Sequence, residues 1–171
     1  IYLDNGDSIS AESFMNCTRL ETVIVDGEGG YTIGNEAFYG CSSLKSIVVL
    51  RELGDNAFEG CTALETVSFT DGLKRIGNQA FKYCESLKTI ELPDGLEEIG
   101  KEAFISTGLK IVVFPASVTK IREKAFAYCG SLKELRFPNG FNVQEIHIEA
   151  FWGCSNLKHI VIGNNSITIE E

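Results

Sequence analysis

One short pattern recurs along this chain and limits what it can fold into. Segments of the form Ala-Phe-x-x-Cys-x-x-Leu, or close variants, place seven phenylalanines in equivalent positions: Phe14, Phe38, Phe58, Phe81, Phe104, Phe126 and Phe151. The steps between them are 24, 20, 23, 23, 22 and 25 residues, so the repeat is about 23 residues long. A unit this short cannot bury its own apolar side chains, and neighbouring units must stack into a continuous core. The spacing therefore predicts a single solenoid domain over residues 1–171.

The stretch from residue 87 to residue 104 indicates how one unit is built. Residues 89–92 read Thr-Ile-Glu-Leu and alternate polar with apolar side chains, which is the period of a half-buried strand. Residues 93–95 read Pro-Asp-Gly and predict a turn, because proline fixes φ and glycine accepts positive φ. Residues 96–100 predict a second short extended segment, and residues 101–104 a brief helical or 3₁₀ turn that points Phe104 inward. The repeats together predict a parallel sheet on one face of the solenoid, with short strands and turns on the other.

Three places depart from this pattern. Repeat three omits the Pro-Asp-Gly insertion within residues 49–53, which predicts a tighter turn there, whereas repeat two carries a longer loop at residues 26–30. Near the C-terminus, Ile162 and Ile169 reproduce a spacing found inside the earlier repeats. We interpret this last segment as a truncated eighth repeat.

The cysteines follow the repeat rather than a ligand or disulfide pattern. All six occupy one column of it, in which the fifth repeat has Thr107 instead: Cys17, Cys41, Cys61, Cys84, Cys129 and Cys154. A small, mildly apolar side chain that packs inside explains each of them, since buried free cysteine is common. Disulfides between adjacent coils remain an alternative that depends on Cα separations of about 4.4–6.8 Å. The paired spacings typical of zinc ligands do not occur, and the sequence predicts no metal site and no cofactor.

The consensus of the repeats resembles a known family. The string Leu-x-x-Ile-x-Leu-Pro-x-x-Leu-x-x-Ile-Gly-x-x-Ala-Phe-x-x-Cys is similar to the BspA-type, or Treponema pallidum-type, leucine-rich repeat of bacterial and protozoan surface proteins. The resemblance extends from about Ile9 to Ile169. We accordingly expect a right-handed, curved leucine-rich repeat solenoid of about seven repeats. The resemblance also implies export, a place at the cell surface or outside the cell, and adhesion to host or extracellular-matrix protein.

Alternation along the predicted strands selects the side chains that face solvent. We call these fourteen residues the strand face: Thr22, Ile24, Ser46, Val48, Thr66, Ser68, Thr89, Glu91, Ile111, Val113, Glu134, Arg136, His159 and Val161. Beside them runs a second column, the lysine stripe: Glu21, Lys45, Glu65, Lys88, Lys110, Lys133 and Lys158. Two interpretations of the exposed β-branched residues are open. Either they are present only because β-branched side chains favour strand structure, or they form, with the lysine stripe, a surface that binds protein.

Charge and apolar patterning exclude several function classes. The chain has 24 acidic and 15 basic side chains and a net charge of −9, whereas nucleic-acid binding depends on clustered Lys and Arg. No apolar run approaches the ~20 residues of a membrane-spanning helix. The chain opens at Ile1 without a basic stretch, so no signal peptide is visible, and a signal and an anchor are expected outside this segment.

Titratable groups do not converge on a catalytic pattern. His147 falls in a turn and His159 on an outward strand position, and neither has a repeated acidic or nucleophilic partner. We therefore predict a non-catalytic module that binds protein, with a structural spacer inside a larger exported protein as the alternative. Open solenoid ends expose unpaired strand edges, so end-to-end association of copies is a further expectation.

Overall fold

The computed structural model describes residues 2–3, 8–25, 32–49, 51–141, 143–163 and 165–168, with the backbone alone for residues 2–3, 25 and 165–168. The described strands are two to four residues long, because each side of a coil of about 23 residues is short and ends in a turn. In chain order they are β1 (Tyr2–Leu3), β2 (Ile24–Val25), β3 (Thr32–Ile33), β4 (Ser46–Val49), β5 (Glu52–Leu53), β6 (Thr66–Phe69), β7 (Arg75–Ile76), β8 (Glu98–Ile99), β9 (Ile111–Val113), β10 (Lys120–Ile121), β11 (Glu134–Phe137), β12 (Glu145–Ile146), β13 (His159–Ile162) and β14 (Asn165–Thr168). We number the coils 1 to 7 by their repeat phenylalanines.

The strands form parallel sheets on two sides of each coil. On the side that carries the strand face, β4 pairs with β6, and β11 pairs with both β9 and β13. On the second side β3 pairs with β5, while β7, β8, β10 and β12 form one sheet in that order. Residues one repeat apart lie opposite each other, as Ile99 and Ile121 do. This register confirms the predicted parallel solenoid.

The repeat phenylalanines form one continuous stack through the core. Successive rings from Phe14 to Phe151 have centroids 5.0–5.5 Å apart and planes within 13° of parallel. The five inner rings are fully buried, whereas Phe14 and Phe151, in the first and last coils, are half-buried. Stacked aromatic pairs stabilise a core beyond the area that they bury, so the phenylalanine column ties each coil to the next.

The thiols pack beside this stack and donate hydrogen bonds along it. Five of the thiols donate a hydrogen bond of 3.1–3.2 Å to the carbonyl oxygen of the repeat phenylalanine one coil earlier, as Cys61 does to Phe38. All six cysteines are free, so the packing interpretation is confirmed over disulfides. Four of them are buried, whereas Cys154 in the last of the seven coils is half-buried and Cys17 in the first is exposed.

The turns opposite the strands are joined by a ladder of backbone hydrogen bonds. In coil 1 the N–H groups of Glu12, Phe14 and Asn16 donate to carbonyls of coil 2 at 2.6–2.9 Å, and the same three positions donate at each later junction up to coil 7. The outer two positions have left-handed backbone, with φ of 59° at Glu12 and 58° at Asn16. A left-handed residue cannot continue a right-handed helix. The described residues therefore form hydrogen-bonded turns here, not the helical or 3₁₀ turn that we expected.

The second sheet is interrupted between coils 3 and 4, and the sheet of the strand face is interrupted on both sides of coil 4, since β6 pairs only with β4 and β9 only with β11. Residues 89–92, predicted as a strand, form no strand, and β5 and β7 belong to separate sheets. The ladder of the turns nevertheless continues across this junction from Asn56, Phe58 and Gly60. Phe58 follows Phe38 after 20 residues but precedes Phe81 by 23. The change in coil length coincides with the loss of strand pairing, although Gly77 still packs on Gly54 across the junction and Asn78 N donates to Asp55 Oδ1 at 2.8 Å.

The C-terminal segment differs from the predicted eighth repeat. β14 runs antiparallel to β13, with Ile160 opposite Ile167. The repeat pattern instead predicts a parallel segment beside β12. Ile169 lies outside the described residues, as do Leu50 within the predicted tight turn and the predicted longer loop at residues 26–30.

Candidate functional site

The strand face forms as the alternation predicts in six of the seven coils. Parallel pairing aligns Ser46 with Thr66 and Val48 with Ser68, and a bridge aligns Thr22 with Ser46. In coils 5 to 7 the pairing aligns its remaining six members in two columns: Ile111, Glu134 and His159 in the first, Val113, Arg136 and Val161 in the second. Thr89 and Glu91 in coil 4 are exposed but belong to no strand.

Apolar side chains on this face stand open to solvent. Ile24, Ile111 and Val113 are 41%, 41% and 51% exposed, although a Val or Ile side chain gains about 1.5–3 kcal/mol when it is fully buried. Val48 and Val161 are half-buried. The two columns are thus a set of aliphatic and hydroxyl side chains in register, which can contact a partner without rearrangement of the backbone.

The charged members of the strand face are largely satisfied within it. Arg136 Nε donates to Glu134 Oε1 at 2.6 Å, and this bond holds the pKa of Glu134 below its ordinary value. A carboxylate and guanidinium already paired in this way offer less to a partner than two free charges. His159 is exposed on the same side.

The lysine stripe lies along one margin of the strand face. Backbone hydrogen bonds join its consecutive members in two runs, from Glu21 to Glu65 and from Lys88 to Lys158, with the gap again between coils 3 and 4. Lys45 is paired with Glu21 at 3.3 Å. Within the described part of the chain, the four lysines of coils 4 to 7 have no ion pair. They give an acidic protein a local cationic margin.

A second group of charges, which the sequence interpretation missed, spans coils 5 to 7 on the other sheet. Arg122 donates to both carboxylate oxygens of Glu98 at 3.1 and 3.2 Å and to Glu145 at 3.2 Å. His147 Nε2 lies 2.6 Å from Glu145 Oε1, which corrects the expectation that this histidine lacks an acidic neighbour. These residues are outward neighbours one coil apart, so a comparison of the second strands of the repeats would have found them.

The described residues contain no group of three or more His, Cys, Asp or Glu side chains arranged to hold a metal ion. Among them there is also no helix long and apolar enough to cross a membrane.

The interrupted junction opens two clefts that sequence reasoning did not anticipate. One, of about 270 Å³, lies between residues 66–69 and residues 89–91 on the strand face. The other, of about 670 Å³, lies on the second side and includes Leu53, Gly72 and Arg75 in its lining. The sequence does contain one indication of these clefts, the short third repeat, because a change in coil length can disturb pairing with the neighbouring coil.

Comparison with known proteins assigns the repeats to a described class. The family described as "BspA type Leucine rich repeat region" matches residues 7–129 and 51–171, with six copies. No curated protein matches the sequence. Leucine-rich repeat domains generally mediate protein interactions, and their fold is typically non-catalytic.

Three solved structures share the fold. A leucine-rich repeat protein from Bacteroides ovatus is 36% identical, with a TM-score of 0.67 over 75% of this chain and 34% of its own. The Treponema pallidum leucine-rich repeat protein is 32% identical, with a TM-score of 0.68 over 94% of this chain and 73% of its own. A leucine-rich cell surface protein from Faecalibacterium prausnitzii is 27% identical, with a TM-score of 0.72 over 89% of this chain and 52% of its own. The chain thus spans about a third of the first of these proteins and half of the third.

Proposed function

Since the chain belongs to the BspA-type leucine-rich repeat family, we propose that it is a non-catalytic interaction module. In this proposal the module is part of an exported protein displayed at the cell surface, and it binds host or extracellular-matrix protein through its strand face. The observation that carries this proposal is the in-register exposure of aliphatic side chains, with Val113 at 51%. Exposed apolar patches framed by polar residues are typical of protein-binding surfaces. The similarity to a protein described as a cell surface protein supports the location.

The lysine stripe supports a partner that carries acidic groups at one margin of the contact. Lys110 and Lys133 are exposed, and within the described residues neither has an ion pair. Charges at the rim of an interface accelerate association more than they add to affinity. We therefore expect binding to weaken and to slow as salt rises.

Binding to immobilised fibronectin, laminin and collagen tests the proposal. Val113→Glu places a charge in the exposed aliphatic column and should lower the affinity for the bound protein at least tenfold. Ile148→Glu is the matched control, because Ile148 is 73% exposed but lies on the turn side. Binding that Val113→Glu, Arg136→Ala and His159→Ala all leave unchanged rules out the strand face as the binding surface.

A structural spacer is the second candidate, favoured by the ladder that joins every coil on the turn side. From Glu12 to Tyr128 each coil donates three N–H groups to the next, an arrangement that resists bending. In that role the strand face would tolerate Val113→Glu without loss of function in the full-length protein. Adhesion of cells that display the full-length protein, compared between the wild type and this variant, separates the two candidates.

A further inference from the structure

The junction between coils 3 and 4 leaves main-chain groups of the strand face without partners. The N–H groups of residues 88–92 donate to no residue that the structure describes. Their carbonyl groups accept one backbone hydrogen bond from the described residues, at Lys88 from Lys110 N at 3.2 Å. Across the gap β6 pairs with β4 on one side only. The unpaired edge of β6 therefore faces the main chain of residues 89–92, which forms no strand and is unpaired toward β9 as well.

The core behind this gap remains packed. Val67 of coil 3 and Ile90 of coil 4 are each only 8% exposed, and the rings of Phe58 and Phe81 stay stacked at 5.5 Å. The loss of pairing thus concerns main-chain hydrogen bonds and not the packing of the interior. Because Thr66 and Thr89 are exposed on either side of the cleft, a ligand reaches both edges from solvent.

The lining of the cleft favours a polypeptide over an apolar ligand. Its outward side chains are the hydroxyls of Thr66, Ser68 and Thr89 and the carboxylate of Glu91. Glu91 forms no ion pair with the residues that the structure describes. Unpaired strand edges recognise the main chain of an added strand, and the side chains between them adjust specificity.

We propose that the cleft between β6 and residues 89–91 binds an extended segment of the partner protein through main-chain hydrogen bonds. This inference rests on the proposed function and assigns the centre of the strand face as the place where the partner's chain enters. The segment lies along the two edges as an added strand does. Recognition through the main chain tolerates many sequences, which suits a β-prone segment with small polar and β-branched side chains.

Amide signals of the 171-residue chain in two-dimensional NMR test this directly. The probe is a blocked hexapeptide of alternating threonine and valine, added to millimolar concentration. We expect saturable shifts at residues 66–69 and 88–92, and fast amide exchange at residues 88–92 before the peptide is added. The same hexapeptide with its threonines replaced by proline lacks three of its six N–H donors, all along one edge of the extended chain, and should cause no such shifts. Slow exchange at these amides in the free protein would show a closed sheet and overturn the inference.

Two substitutions at one residue separate main-chain from side-chain recognition. Glu91→Pro removes an N–H group that has no partner in the described structure, and should abolish the shifts. Glu91→Ala keeps that N–H group and should retain them within about twofold in affinity. Equal loss in both variants, or the same shifts caused by a disaccharide such as lactose, overturns main-chain recognition. If Glu91→Pro does not fold, the comparison of the two hexapeptides with the wild-type chain still decides.

The inference and the proposed function fail separately. Matrix-protein binding that Val113→Glu abolishes, together with no response to the threonine–valine hexapeptide, overturns the inference and leaves the function intact. Absence of both responses removes the function as well. Shifts confined to the turn side contradict both.

Discussion

The Cys84 thiol donates a hydrogen bond to the Phe58 carbonyl of the preceding coil across 3.2 Å. Cys84 N in turn donates to the carbonyl of Phe81 in its own coil at 3.1 Å. The carbonyl oxygen of a repeat phenylalanine such as Phe58 therefore accepts two hydrogen bonds, one from a backbone N–H of its own coil and one from the thiol of the next coil, wherever the next coil has a cysteine. The cysteine is conveniently small for this site, and its sulfur also satisfies a carbonyl that the core would otherwise leave with one partner.

Truncation of this thiol should destabilise the solenoid. Cys84→Ala removes the sulfur from a fully buried site and with it a hydrogen bond, so we expect a loss of about 2 kcal/mol in the free energy of unfolding. Cys84→Thr is the matched variant, because Thr107 fills the equivalent position in coil 5 and is 4% exposed. It should cost less than half as much. Urea unfolding followed by circular dichroism measures both, and an alanine variant as stable as the wild type contradicts the thiol's role.

The thiols should differ sharply in reactivity. Burial raises the pKa of Cys41 to about 11 and also raises the pKa values of Cys61 and Cys84. Since the thiolate is the reactive form, these groups should resist iodoacetamide at pH 8 in the folded protein. Cys17 is exposed and should be alkylated first.

Mass spectrometry of the alkylated protein counts the modified thiols. We expect one rapid modification, absent from Cys17→Ser, then slow modification of the half-buried Cys154, and six modifications in urea. Rapid labelling of Cys61 or Cys84 in the native state would show that the coils separate far more readily than the packing indicates.

The sequence predicted the buried positions that all seven repeats share, but it did not predict where the strand pairing is lost, which depends on the neighbouring coils. Phe81 and Cys84 were placed inside because every copy puts an apolar residue there, and both are fully buried. Residues 89–92 alternate polar and apolar side chains as a strand does, yet among the described residues no strand pairs with them on either side. A strand needs a neighbour in register, and register depends on the lengths of two coils rather than on the local alternation.

The strand face shows the same division. Its outward positions followed from period-two alternation and are confirmed for Ile111 and Val113, while whether they bind a partner stays a prediction. The pair formed by Glu134 and Arg136 was not predicted, since the alternation gave each residue its outward position without regard to the other. Two outward residues on one strand are neighbours on one face, so this contact was within reach of the sequence.

Close approach of coils 4 and 5 leaves no room for a side chain at Gly100, although Arg122 and His147 fill the same repeat position in coils 6 and 7. A Cβ atom on Gly100 would lie 2.7 Å from the carbonyl carbon of Gly77 and 2.8 Å from Asn78 N. Backbone atoms cannot yield as a flexible side chain does, so Gly100→Ala should cost about 1–3 kcal/mol in the free energy of unfolding. Gly130→Ala is the control, because no atom lies within 4 Å of its added Cβ. Thermal unfolding of both variants measures the difference, and equal midpoints would show that the coils can move apart at no cost.

The bidentate pair of Arg122 with Glu98 should make stability depend on acid. The Arg122 hydrogen bonds hold the pKa of Glu98 below its ordinary value, so its contribution is complete above the unfolded pKa of about 4.3 and is lost as pH falls through the lower folded pKa. Glu98→Gln should reduce the free energy of unfolding at pH 7 by about 1–2 kcal/mol and lessen its fall between about pH 5 and 3. Glu97→Gln, at a more exposed carboxylate 3.0 Å from Lys74 Nζ, should change both by less than half as much. Urea titrations at pH 7, 5, 4 and 3 provide the comparison, and parallel pH profiles for Glu98→Gln and the wild type would show that this carboxylate is not linked to folding.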